Sequence, residues 1–202
     1  MKTKRDILLR KSLHLGLILP FVAYWYISAQ TFTNAAIYAR GFLAVFVVGF
    51  LIYEYLRLDT RIWVPFASLV KPKEQYTNVD GLNLVLAAIV ATALFEPIVS
   101  ITAILIAIIG DTFSTVGGIY GTMKVFPNAE NKTTWEGILL ALIVNFVIAG
   151  SIWGFGIIPL ILALSGVIIE TFASKLDDNL AIPLGVGFIG QVIWLILEYY
   201  PK

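Results

Sequence analysis

GLNLVLAAIVATALFEPIVSITAILIAIIGDTFSTVGGIY, residues 81–120, decides the fold. Two apolar runs meet at Glu96-Pro97, one from Val79 to Phe95 and one from Pro97 to about Ile119. Roughly 20 consecutive apolar residues span a bilayer, so each run is close to one crossing. Proline lacks the amide hydrogen that a helix interior requires. Pro97 therefore either kinks one long helix or opens a new one. The choice sets the orientation of every span after it.

Five more apolar runs lie outside this stretch: Leu13 to Ala29, Gly41 to Tyr55, Gly137 to Trp153, Ile157 to Phe172 and Ile182 to Tyr199. The chain has 202 residues, of which 59% are hydrophobic and 13% charged, with a mean hydropathy of +0.88. Soluble domains are about 45–50% apolar and about 25% charged. The excess apolar surface needs lipid as its solvent. The expected fold is an all-α polytopic membrane helix bundle of about seven spans, with residues 1–202 forming a single transmembrane domain. The first run follows a basic segment, as in a signal peptide. It is long enough to span, and the small-residue pattern at Ser28-Ala29-Gln30 is poor for cleavage, so it reads as a span.

Charge chooses between the two readings of Pro97. With seven spans, twelve of the 14 Lys/Arg fall on one side, and only Arg40 and Lys202 on the other. Positive residues are retained in the cytoplasm. The N-terminus and the long connections are thus expected to be cytoplasmic, and six spans would move Lys124, Lys132 and Lys175 outside. The segment from Asp59 to Asp80 mixes aromatic, charged and proline residues and is expected to lie along the interface. The net charge of +1 implies no polyanionic partner, and with no cysteine there is neither disulfide nor thiolate chemistry.

Ionisable groups near a membrane are costly and mark candidate sites. Arg10, Lys11 and His14 share a helix face and suit a phosphate or a lipid headgroup. Glu54 and Arg57, three apart, read first as a structural ion pair. Asp111 follows thirteen apolar or small residues, which places it inside the bundle or near its cytoplasmic edge. Beside it, Gly110, Ser114, Gly117, Gly118 and Gly121 form a small-residue face. That face serves either close helix packing or the approach of a phosphate to backbone. Lys132, Thr133, Thr134 and Glu136 combine a phosphate ligand with a carboxylate, and Thr133 to Glu136 also fits a helix capping box. Glu170, Lys175, Asp177, Asp178 and Asn179 offer oxygen ligands for Mg²⁺ or a polar turn that caps the next helix. Asn145 and Gln191 are the plainly polar residues deep in the apolar runs. Together the clusters have the composition of a nucleotide–Mg²⁺ site without a Walker-type loop.

In order, Arg10-Lys11-x-x-His14, Glu54 with Arg57, Gly110-Asp111 and its following glycines, Asn131-Lys132-Thr133-Thr134-x-Glu136-Gly137, and Glu170 with Asp177-Asp178-Asn179-x-x-Ile182-Pro183 resemble the CTP-dependent polyprenol kinase family. That family includes dolichol kinase, phytol kinase and a CTP-using diacylglycerol kinase. The resemblance covers about residues 10 to 185 and departs at Ser114 and Thr133. It implies phosphoryl transfer from CTP to a long-chain lipid alcohol with Mg²⁺ or another divalent cation. It implies Arg10, Lys11, His14, Arg57, Lys132, Thr133, Asp178 and Asn179 on the nucleotide, and Asp111, Glu136 and Asp178 as metal ligands. Asp111, Lys132 and Glu136 would be catalytic, with Asp111 as metal ligand or as the group that orients the lipid hydroxyl. Glu54, Glu170 and Asp177 would support them. The expected partners are CTP, the lipid alcohol and membrane lipids, with no nucleic acid, and a homo-oligomer is left open. A lipid-phosphate cytidylyltransferase would need the same CTP, metal and membrane plane. A transporter would instead gather charge at the midplane within inverted repeats.

Overall fold

In a computed structural model of the chain, the residues described are 4–59, 79–125, 133–172 and 177–199. They form α1 (Lys4–Gly16), α2 (Ile18–Ser28), α3 (Ala35–Asp59), α4 (Val79–Leu94), α5 (Pro97–Leu105), a π turn (Ile106–Gly110), α6 (Asp111–Tyr120), α7 (Trp135–Trp153), α8 (Ile157–Phe172) and α9 (Asp178–Tyr199). Among the described residues five helical stretches are long and apolar enough to cross a membrane: Ile7–Ser28, Ala35–Arg57, Pro97–Tyr120, Trp135–Trp153 and Asp178–Tyr199. Gly81–Leu94 and Ile157–Phe172 are apolar but shorter. The protein is therefore an all-helical, polytopic membrane protein, and its apolar helices coincide with the seven expected runs. Large side chains such as Leu19, Val45, Leu94, Ile143 and Ile168 stand exposed on them; lipid is the solvent such faces need. The expected interfacial stretch between Asp59 and Asp80 lies almost wholly outside the described residues.

Pro97 opens a new helix. Helix α4 ends at Leu94, Glu96 is extended (φ −55°, ψ 146°), and Pro97 occupies the first turn of α5. The residue before a proline is disfavoured in the α region, which accounts for the break. One kinked helix through this point is not what forms.

The chain divides into two compact units, residues 1–85 and 86–202. In the first, α2 packs along α3, with Phe21 edge-on to Phe46 at 6.0 Å. Asn34 (φ 67°) lies in the turn between them. This is a helical hairpin, so Arg10, Lys11 and His14 before α2 and Glu54 and Arg57 late in α3 lie at the same end of it. The first span is jogged at Leu17, whose amide donates to His14 O at 3.1 Å.

The second unit is an up-down four-helix arrangement. The continuous stretch α5–π turn–α6 packs antiparallel to α7, with Gly117 against Gly137 and Gly110 against Asn145. Helix α8 returns along α7 with Gly166 against Asn145, and α9 returns along α8 with Gly185 against Ile169. The core contains Ala103, Ile106, Ala107, Ala149, Leu162, Ile182 and Val186. One end of the unit holds Tyr120 to Val125, Thr133 to Glu136, and Asp177. The other end is aromatic. There Trp153 meets Trp194 edge-on at 6.0 Å and donates to Thr102 Oγ1 at 2.9 Å. Phe95 packs against Gly187. Aromatic rings of this kind concentrate at a membrane–water boundary. Gln191 belongs to this end and not to the deep interior: its Oε1 accepts from the Glu96 amide at 2.8 Å.

Candidate functional site

Within the first unit, Lys11 is buried at 7% exposure and Arg10 and His14 are half-buried. Glu54 Oε2 accepts from Arg57 at 2.7 Å (Nη2) and 3.0 Å (Nε), and both side chains are nearly buried. The structural ion pair is thus formed. A buried guanidinium held this way is strongly coupled to its carboxylate, because removing either partner strands the other charge.

In the second unit the small-residue face of α6 is filled by α7. A Cβ on Gly117 would stand 2.6 Å from Gly137 Cα, and one on Gly137 2.8 Å from Ser114 O. A Cβ on Gly121 would stand 2.5 Å from Thr134 Oγ1 and 2.9 Å from Glu136 Oε2. These glycines let two backbones approach, the packing role of small residues in membrane helices. The space that a phosphate would need is occupied.

Beyond this crossing the chain closes on itself. Val125 N donates to Thr133 O at 3.0 Å and Trp135 N to Met123 O at 2.9 Å, around an isolated antiparallel bridge between Lys124 and Thr134. Glu136 fastens this neck. Its Oε1 accepts from Thr122 N at 2.8 Å, Thr122 Oγ1 at 3.2 Å and Met123 N at 3.2 Å, and Oε2 from Met123 N at 3.3 Å. The expected capping box is shifted by one residue. Thr134 caps α7 by accepting from Gly137 N at 3.1 Å, and Glu136 reaches across to the preceding segment. Lys132, next to Thr133 in sequence, lies outside the described residues, as does Lys175.

Glu136→Gln removes the charge from that clasp and turns one oxygen into a donor facing amides. Loss of these charge-assisted bonds loosens the clasp. The expected result is faster hydrogen exchange at the Thr122 and Met123 amides, with the α7–α8 amides unchanged. Unchanged protection at both amides contradicts the clasp.

At the same end, Asp177 caps α9: its Oδ1 accepts from Asn179 N at 3.0 Å, and its carbonyl accepts from Leu180 N and Ala181 N. Asp178 opens the helix, where its charge suits the positive end of the helix dipole. Asn179 is buried, and Glu170 is half-buried in the last turn of α8.

Asp111 lies deeper along α6 than Thr122 and Met123. Tyr120 is nine positions further on, about 13 Å at 1.5 Å per residue, so Asp111 lies well inside the span and not at its edge. The Gly117–Gly137 contact fixes the register, which leaves Asp111 roughly 10 Å from Glu136 along the helix axes. Glu136 moreover points the other way, toward Thr122 and Met123. The two carboxylates do not ligate one ion. Among the described residues no three His, Asp or Glu side chains gather as a metal group. The donor set therefore does not fit a cage made of Asp111, Glu136 and Asp178 together. Mg²⁺ that arrives on a triphosphate needs only one or two protein carboxylates, so such a cage is not required for it.

Sequence reasoning missed two features here. One is the reach of Glu136 to residues 122–123, for which the acid at a helix start was the available signal. The other is the π turn before Asp111, which has no signal in local sequence. No family model, no curated protein and no solved structure matches the chain.

Proposed function

We propose that the protein is a membrane lipid kinase that moves the γ-phosphate of CTP to the hydroxyl of a long-chain isoprenoid alcohol or a diacylglycerol-type lipid. The observation that carries this reading is positional. Apart from Gly110-Asp111, which lies deeper, the described residues of the motifs that resemble the polyprenol kinases fall, unit by unit, at one end of each helical arrangement. In residues 1–85 that end carries Arg10, Lys11, His14 and Arg57. In residues 86–202 it carries Lys124, Thr133, Thr134, Asp177 and Asp178. The excess of Lys/Arg supports a cytoplasmic side for each end, taken by itself, the side on which CTP is found.

In this reading the alcohol oxygen bonds to the γ-phosphorus, the bridging P–O bond breaks, CDP leaves, and the hydroxyl proton passes to a carboxylate or to water. Such transfers depend mainly on positioning and charge stabilisation. The resemblance to the polyprenol kinases implies Arg10, Lys11 and Lys132 as cations for a triphosphate and Asn179 as a residue on the nucleotide. A divalent cation carried by CTP would neutralise phosphate charge, with Asp178 as its protein ligand. Asp111, at depth, belongs with the lipid and not with the triphosphate.

Inverted membrane vesicles carrying the protein, supplied from outside with CTP labelled at the γ or the α phosphate and with candidate lipid alcohols, test this. Label from the γ position should enter the organic phase and CDP should remain in water. Entry of α-label with release of pyrophosphate would mean a cytidylyltransferase. Transfer only when CTP is trapped inside would place the site on the other face.

A further inference from the structure

The middle of the second unit contains a polar contact that the proposed chemistry does not use. Asn145, at 1% exposure, lies in α7 against the last residue of the π turn. Its Oδ1 is the one buried side-chain oxygen or nitrogen without a hydrogen-bond partner among the described residues. The carboxamide is wedged between two glycines. A Cβ on Gly110 would collide with Oδ1, so that oxygen faces the Cα–H of Gly110, a weak donor at best. On the other side, a Cβ on Gly166 of α8 would stand 3.2 Å from Nδ2 and 2.7 Å from Ile106 Cγ2.

Ile106 and Gly110 are the first and last residues of the π turn. The turn is therefore held at both ends, by Gly166 at Ile106 and by Asn145 at Gly110. A π turn contains one residue more than an α turn. Everything after it is offset by one position, about 100° around the axis. Asp111 is the first residue after it. Thr112 is buried and Phe113 exposed in the observed register. Were the turn to relax to α, Asp111 would take the buried direction now held by Thr112, and Thr112 the exposed direction of Phe113. An orphan acceptor in an apolar core is a poor way to fill space, since an aliphatic side chain of similar volume fills it without loss of a hydrogen bond.

We propose that Asn145 is a positioning residue: its carboxamide, seated between Gly110 and Gly166, keeps the π turn open and so fixes the direction in which the Asp111 carboxylate leaves the helix. The geometric claim is independent of the kinase reading. Only its effect on turnover rests on that reading.

The chain has no cysteine, so a single introduced one is a clean probe. Nitroxide labels on Thr112→Cys and Phe113→Cys, in lipid, report accessibility to dissolved oxygen by electron paramagnetic resonance. With Asn145 intact, the label at 113 should be the more accessible. In the Asn145→Ala background the order should reverse, and kcat for γ-phosphate transfer should fall at least tenfold with the KM for CTP unchanged. Gly110→Ala, which pushes on the same contact from the other side, should reverse the order too and serves if Asn145→Ala does not fold. An unreversed order in whichever of these variants folds overturns the proposal, whatever the activity. A reversed order in a protein that never transfers phosphate from CTP would support the positioning role and count against the kinase.

Discussion

Gly117→Val should unfold the second unit at temperatures where the wild-type protein is stable. The Cβ alone would stand 2.6 Å from Gly137 Cα and 3.0 Å from the Glu136 carbonyl oxygen. Both neighbours are backbone, so no side-chain rotation relieves the clash, and α6 must move away from α7. Separation would also strain the neck at Thr122 and Met123, which Glu136 fastens from α7. Overpacking of a core typically costs about 1–3 kcal/mol, and a backbone–backbone clash belongs at the top of that range or above it. The measurement is the thermal midpoint in detergent, read by loss of the monodisperse peak. Gly41→Ala and Gly49→Ala are the controls, because nothing lies within 4 Å of a Cβ at either position. They should leave the midpoint unchanged or raise it, as alanine is the better helix former by about 1 kcal/mol. A Gly117→Val protein that melts with its controls would mean that the α6–α7 crossing is looser than described.

Those glycines show where sequence reading succeeds. The spans were legible because a run of about 20 apolar residues has few soluble uses, and proline at 97 has only two helical roles. The helix ends were less legible. Hydropathy marks the lipid and not the helix, so Ala35–Asp59 and Lys4–Gly16 extend past the apolar runs through Arg40, Arg57, Arg10 and Lys11. The Glu54–Arg57 pair was the first reading of its spacing, while for Asp177 spacing left a helix cap and a metal ligand equally open. The fates of Glu136 and Asp111 did not follow from spacing. Glu136 had a good local partner in the capping box, but the antiparallel return of residues 122–125 past α7 offered it two backbone amides instead. For Asp111 hydropathy left two depths open, inside the bundle or near its cytoplasmic edge, and the glycines after it two uses. The glycines form a full helical face, packed on α7, and about two and a half turns separate Asp111 from Tyr120.

Asp111→Asn should lower phosphate transfer at least about tenfold, a loss of about 1.4 kcal/mol of transition-state stabilisation, without loss of the fold. Asparagine keeps the size and removes the charge. Asparagine can still donate and accept hydrogen bonds at this position, so the fold should survive and the loss should appear in turnover. The kinetic pattern distinguishes its partners. A residue on the triphosphate would raise the KM for CTP when altered. Asp111 lies about 13 Å in from Tyr120, so on the proposed reading, in which it acts on the lipid alcohol, the KM for CTP should stay within about twofold while kcat, or the dependence on lipid concentration, changes. Full activity in Asp111→Asn would leave the residue a structural group of the bundle. A selective rise in the KM for CTP would instead bring the triphosphate deep into the span, and the separation between Asp111 and the polar end would have to close when substrate binds.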